Sequence, residues 1–389
     1  MAGTLTELTV AGKLAGKAVG RKLRGAIEAA PDLNAFRDDM RQLLDRLPAE
    51  LIQDLVWFDL AANEAPWVGS DMMLAAGDQV TYFMEGRVYA NQFLDIWVPL
   101  PLQIWSKVGD GEVFRGTRQS HSFTATETGN LQFGNYFPND WSDRQGTRQQ
   151  DDKIYASMKG ATRILIIRWA TAADAGIRAL LELGDVQGRV ESELERIEGG
   201  DITPQGWYPL WHIGPSEIYR DGHSDQGRPC IHCHTAGNTG ILQTDVDVAL
   251  APDTEIGWRW CVDELPSPLR EDAVPSHDYL SIAVEFDNGK DITYYWSSTL
   301  PVGTGYDCPL PNWKHKEFHV VVRSGNSGLG QWHSERRNLY EDYRHYMGEP
   351  PGRIVRVWLI ANSLFQRNTG RCDYSDIVLH HPGGALQVL

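Results

Sequence analysis

The spacing of apolar positions changes character near residue 60. Before it, Leu33, Phe36, Met40, Leu43, Leu44 and Leu47 recur at intervals of three and four, the stripe of one helix face. Pro31-Asp32 ahead of the stripe is a helix-start signal. The pattern predicts helices up to about residue 60, with a break at Asn63 to Pro66. From Trp67 the period shortens. The runs 80–84, 94–98, 103–105 and 163–169 are aromatic and β-branched, with Gly and Pro pairs between them, which reads as a sandwich of short strands. Over 171–198 the helical period returns through Ile177, Leu180, Leu181, Val190, Leu194 and Ile197, with a possible break at Gly184 and a stop at Gly199-Gly200. A polar, irregular stretch follows over 201–245. Strong strand patterns resume at 279–286, 292–296, 318–322 and 354–360, with one helix predicted over about 334–347.

The expected fold class is therefore mainly β: two antiparallel, jelly-roll-like β-sandwich domains. The expected boundaries are a helical segment 1–60, a first sandwich 61–170, a helical connector 171–200, a His/Cys-rich segment 201–245 and a second sandwich 246–389. The chain of 389 residues exceeds one ordinary core, in keeping with two domains.

Charge narrows the partners. The net charge of −16 would repel a phosphate backbone, so nucleic acid is not expected. The basic stretch Lys13, Lys17, Arg21, Lys22 and Arg24 lies on a helical pattern with Leu14, Val19, Leu23 and Ile27. It reads as a helix docked on its own domain or on a second subunit, which would make a homo-oligomer; a membrane-surface helix is the alternative. No apolar run is long enough to span a bilayer, and no export signal is visible, so a cytoplasmic protein with reduced thiols is expected.

Two family resemblances follow from particular residues. Trp67, Gly69, Ala76-Gly77-Asp78-Gln79-Val80-Thr81, Gly86 and the loop Asn135 to Gly146 resemble the galactophilic calcium lectins of the PA-I type. This implies a lectin-like sandwich over about 67–170. Matched to that family, however, Tyr136 stands where a loop carboxylate is expected and Arg144 where an amide ligand is expected. Asp140 and Asp143 remain as oxygen donors, so calcium there is an open expectation. Trp258-Arg259-Trp260, Tyr295-Trp296-Ser297-Ser298, Val322-Arg323-Ser324-Gly325 and the run Glu335 to Arg344 resemble a bacterial family known only as a domain of unknown function, over about 245–380. That family's acidic cluster is replaced here by Ala361-Asn362-Ser363.

The densest chemistry lies in 223–240, which holds His223, Asp225, Cys230, His232, Cys233 and His234. Imidazole with thiolate suits zinc or iron. If 230–234 is a strand, Cys230, His232 and His234 share a face and Cys233 points away; if it is a turn, Cys230 and Cys233 chelate together. Cys230 to His234 also fits the c-type haem attachment string, but haem attachment goes with export and with a helical cytochrome pattern, and neither is present. A His232–His234 pair completed by His277, Glu285, His315 or His319 is a further metal reading. Against all of these stands the plain one: loop histidines satisfying backbone groups and cysteines packed as small apolar residues.

Outside that segment, Glu285 sits in an apolar strand on the face away from the core, and His277 and Asp278 face opposite ways. Expected acid–base groups are His223, Asp225, His232, His234, His277 and Glu285. Trp296 and Trp358 read as core, and Trp313 and Trp332 as loop residues that bind substrate together with Arg337. Arg336 and Arg337 with Glu341 and Asp342 read as ion pairs on a helix. Three functions are weighed. One is an intracellular lyase, hydratase or hydrolase acting on a small hydroxylated or carbohydrate-like molecule. The others are a non-catalytic carbohydrate-binding protein and an assembly protein dimerising through its N-terminal helices.

Overall fold

A computed structural model describes residues 29–92, 95–137, 140–224 and 226–389. Asp225, Leu94 and the basic stretch Lys13 to Arg24 lie outside them. Among the described residues, those from 29 to 201 form one compact unit, and those from 202 to 389 form another.

In the first unit a helix, Leu33–Leu44, is capped by Asp32, whose carboxylate accepts from the Asn34 and Ala35 amides. Eight strands follow: β1 (Ile52–Ala61), β2 (Val68–Leu74), β3 (Gln79–Asn91), β4 (Ile96–Val98), β5 (Ile104–Val108), β6 (Ser120–Thr124), β7 (Gly129–Asn135) and β8 (Lys159–Trp169). They form a five-stranded sheet, ordered β1-β8-β3-β4 with β6 also on β3, and a three-stranded sheet β2-β7-β5. Alternation explains the unbroken apolar run in β8. Ile164 and Ile166 pack between the sheets with Tyr82, Met84, Leu131 and Phe133. Leu165, Ile167 and Trp169 pack on the other face under Phe36, Met40, Ile177, Leu180 and Val190. The helices Ala173–Leu183 and Arg189–Gly199 thus form a third layer on this unit. Gly176 permits the closest approach, because a Cβ there would run into the Trp169 indole.

The expected helical segment needs correction at its end. Residues 52–61 are an edge strand paired along β8, because Val56, Trp57 and Phe58 suit a pleated half-buried surface better than a helix.

The second unit contributes β9 (Tyr208–Pro209), β10 (Tyr219–His223), β11 (Pro229–Ala236), β12 (Thr239–Ala249), β13 (Glu255–Glu264), β14 (Tyr279–Phe286), β15 (Asp291–Ser297), β16 (Gly305–Asp307), β17 (Glu317–Ser324), β18 (Trp332–Asn338), β19 (Arg353–Asn362), β20 (Thr369–His381) and β21 (Gly384–Gln387). One sheet runs β10-β11-β20-β13-β18 with β21 on β20; the other runs β16-β17-β15-β14-β19-β12-β9. Inward residues of both sheets form the main core, including Ile231, Trp258, Trp260, Ile282, Val284, Tyr294, Leu359 and Tyr374. The architecture is the mainly β sandwich expected, with one departure among the described residues: β15 and β17 run parallel.

Two further sequence expectations change here. The polar segment 201–245 is irregular only in part: from Tyr219 its His and Cys residues lie on β10 and β11, paired strands that belong to this sandwich. The predicted helix begins only at Leu339, capped by Asn338, and Arg336 and Arg337 lie on β18. Their partners are Glu255 on the neighbouring strand and Asp342 in the first helical turn.

Candidate functional site

The strand option for 230–234 is the one realised. Cys230 and His232 lie on the outer face of the six-stranded sheet, while Cys233 points into the core opposite Cys372. Register builds a row across five strands: Arg220, His232, Asp373, Cys261 and Trp332. His232 Nδ1 lies 2.7 Å from Asp373 Oδ1, and Cys230 Sγ lies 3.9 Å from either ring nitrogen. The carboxylate therefore selects the tautomer with its proton on Nδ1 and leaves Nε2 as the basic nitrogen. Gly222 on β10 gives the imidazole its seat, since a Cβ there would overlap the ring. The His232 side chain is 42% exposed and that of Asp373 28%. Cys230 is buried, and burial pushes its thiol up to about 11, so it is a neutral thiol rather than a nucleophile near pH 7. Trp332 begins a strand instead of lying in a loop; it is half-buried with the Arg259 guanidinium 5.3 Å over its ring.

A second cluster lies on the outer face of the seven-stranded sheet. Here a charged row, Asp245, Arg356, Glu285, Asp291 and Glu317, crosses five strands in register. Glu285 does point away from the core, where Arg356 Nη1 bonds it at 2.8 Å. Two residues further along β17, His319 sits opposite Thr293 on β15 and Tyr306 on β16. His277, at the entry to β14, and Cys308, just after β16, complete a buried group of donors with Glu317 and His319. His277 Nδ1 lies 2.6 Å from the Glu271 carbonyl, and its Nε2 lies 3.5 Å from Cys308 Sγ. Glu317 Oε1 accepts from Tyr279 at 2.9 Å and from Thr293 at 3.2 Å. His319 Nε2 is 3.4 Å from the same oxygen but not aligned for a hydrogen bond, and neither of its ring nitrogens has a hydrogen-bond partner.

Electrostatics in this dry region follow from burial. Burial and the neighbouring His319 push His277 down to about 3, so its imidazole is neutral. Burial and then Glu317 push Asp291 well above the carboxylate range. Thr293 has one hydroxyl proton for contacts to both Asp291 and Glu317, so a protonated Asp291 donating to Thr293 completes the chain. Burial also raises Glu271 and Asp278 to about 7, although each accepts backbone amides, from Ser298 and from Phe365 and Gln366 respectively.

The other expected residues lie apart from both clusters. His223 and His234 are exposed, the latter opposite Arg371 on β20. Trp313 is half-buried, 5.9 Å from the His212 ring and edge-on to the buried Trp358 at 6.4 Å. Arg337 is held by Asp342 beneath Tyr294. In the first unit the Asp140 carboxylate takes four bonds, from Arg148 Nε, Tyr155 Oη and the amides of Gln149 and Gln150. Asp143 caps the amides of Gln145 and Thr147. Sequence reasoning missed Asp373, Cys308 and Glu317 as site residues. The alternation Glu317-Phe318-His319 at the head of a strong strand was the available signal for one pair.

Residues 215–378 match a family model described as a protein of unknown function (DUF3047). That span contains every donor of both clusters. No curated protein matches the chain. Among solved structures, the EclA N-terminal domain, a PllA-like lectin, is similar at 14% identity over 31% of this chain and 99% of its own, with a TM-score of 0.23. The xyloglucanase domain of NopAA, a type three effector from Sinorhizobium fredii, is similar at 9% identity over 45% of this chain and 93% of its own, TM-score 0.28. The tandem CBM22 domains of Paenibacillus barcinonensis Xyn10C are similar at 10% identity over 85% of this chain and 82% of theirs, TM-score 0.23.

Proposed function

We propose that the second sandwich carries out acid–base chemistry of lyase, hydratase or hydrolase type on a small hydroxylated molecule, with His232 as the proton-transfer group. The observation behind this reading is the His232–Asp373 pair at 2.7 Å on an accessible sheet face. Asp373 fixes the ring with Nε2 free to take a proton from a hydroxyl or a water. Trp332 stands on the same row two strands from Asp373, about 10 Å away at ordinary strand spacing. The buried cluster on the other sheet lacks such access, so it does not compete for this role.

Turnover of a panel of esters, glycosides and hydroxy acids tests the reading. Activity found with the wild-type chain should fall by about 10²–10⁴ in His232→Ala and substantially in Asp373→Asn. Activity untouched by His232→Ala removes it.

A second reading, carbohydrate binding without catalysis, has its own observation. Trp313 is half-exposed beside His212 on the other face, a flat apolar surface of the kind on which sugar rings stack. Glycan binding that is lost in Trp313→Ala and retained in His232→Ala would select it.

A further inference from the structure

We propose that His277, Cys308, Glu317 and His319 form a zinc site that is separate from the His232 face and structural in kind. The donor set is the first argument. Two imidazoles, a thiol and a carboxylate are the groups from which tetrahedral zinc sites are built, and their donor atoms lie within 4.8 Å of one another in a region closed to solvent.

Spacing is the second. Tetrahedral zinc with Zn–N near 2.0–2.1 Å, Zn–S near 2.3 Å and Zn–O near 2.0 Å separates a sulfur and a nitrogen ligand by about 3.6 Å, and a nitrogen and an oxygen ligand by about 3.3 Å. The distance from Cys308 Sγ to His277 Nε2 is 3.5 Å, and from His319 Nε2 to Glu317 Oε1 it is 3.4 Å. The first is also an ordinary distance for a thiol–imidazole hydrogen bond, the second is misaligned as a hydrogen bond, and both are right as edges of a coordination tetrahedron.

Unmet polar demand is the third. A fully buried imidazole with no hydrogen bond at either nitrogen is costly. An ion bound at Nε2 supplies the missing partner. The surrounding groups already orient the ligands as an outer shell does: the Glu271 carbonyl takes the Nδ1 proton of His277, and Tyr279 and Thr293 fix the Glu317 carboxylate.

The ligands come from the segment before β14, from the end of β16 and from the head of β17. Four protein donors leave no open position, which is the mark of a structural rather than a catalytic ion. The ion would fasten both ends of the 309–316 connection, already joined by the Cys308 N–H donating to the Glu317 carbonyl at 2.9 Å, to the segment 271–278.

The full chain, purified without chelators, is expected to contain near-stoichiometric zinc. Exchange to cobalt should give a thiolate-to-metal charge-transfer band that persists in Cys230→Ser and vanishes in Cys308→Ser. His319→Gln should lower zinc affinity by about tenfold or more. Should Cys308→Ser fail to fold, the cobalt spectra of the wild type and of Cys230→Ser still decide. A wild-type chain that takes up neither zinc nor cobalt on dialysis overturns the proposal. So does bound cobalt without a thiolate band, a band lost in Cys230→Ser, or one surviving in Cys308→Ser. Turnover assays of His232→Ala report on the other site, so the two proposals fail separately.

Discussion

Replacing Asp140 by Asn in the loop between β7 and β8 isolates one buried charge and keeps its shape. The carboxylate is fully buried, and its four acceptor positions are filled: Arg148 Nε at 3.1 Å and Tyr155 Oη at 2.6 Å on one oxygen, the Gln149 and Gln150 amides at 3.2 and 2.8 Å on the other. An amide has one accepting oxygen, so its NH2 must face either the two backbone donors or Arg148 and Tyr155. In the second orientation Tyr155 can turn its hydroxyl to accept, but Arg148 Nε–H loses its acceptor and the guanidinium, 18% exposed, loses its buried counter-charge. A lost bond to a charged group is worth about 1.5–3 kcal/mol, and breaking a buried pair costs up to about 5. Arg148 keeps Asp152, so we expect about 2–4 kcal/mol of destabilisation in the first unit. Urea titration followed by near-ultraviolet circular dichroism suits this measurement, because Trp67 and Trp141 stack at 4.8 Å beside the loop. With the Arg148 guanidinium bonded directly to this carboxylate, millimolar calcium should not raise the melting temperature. A loss below about 0.5 kcal/mol, or a calcium-dependent rise that Asp140→Asn abolishes, would refute the assignment of this carboxylate to internal support.

Three further outcomes are expected. Gly222→Ala should displace the His232 ring, cost about 1–2 kcal/mol through the loss of its bond to Asp373, and remove the downfield Nδ1–H proton resonance that bond gives; a resonance unchanged in Gly222→Ala argues against the seat. His121 packs against Phe114 and Phe123, and burial followed by the charge of Arg196 pushes it down to about 4. The unfolded chain therefore takes the proton first, and up to about 3 kcal/mol of stability is lost as pH falls from about 6.5 to about 4; His121→Gln should flatten that arm of the pH–stability curve. Cys230 should alkylate slowly in the folded protein at pH 7.5, since a thiol near 11 is on the order of 0.1% ionised or less, and rapid labelling by mass spectrometry would make it a nucleophile activated by His232.

Strands dense in aromatic and β-branched residues and set off by turn residues were legible: the pattern 279–286 reads as a strand, and β14, buried on both faces, spans Tyr279–Phe286. At Leu55 to Phe58 a similar apolar run directly follows a helical stripe, and the strand passes for a continuation of the helix. Polar residues on the outward face of β11 hid that strand, although the strand option had already placed Cys230 and His232 together. Asp373 was out of reach, because it meets His232 only through the pairing of β11 with β20, 141 positions along the chain. The buried cluster was harder still. His277 and Glu317 are neighbours in space because β17 lies beside β15, and no local pattern announces a parallel pairing.

That parallel pair also bears on the order in which the chain assembles. Neighbouring antiparallel strands such as β14 and β15 close through a short turn, whereas β17 follows β15 only after residues 298–316, which run out through β16 and turn back before β17 docks parallel to β15. Closing the longer excursion costs more chain entropy, and the contacts that repay it arrive late. Docking of β17 is therefore expected to follow formation of the β14–β15 hairpin in refolding. Glu317 and His319 would then reach their partners on a slower clock than the rest of the sheet, and Tyr279, which bonds Glu317, would be a reporter of that final step.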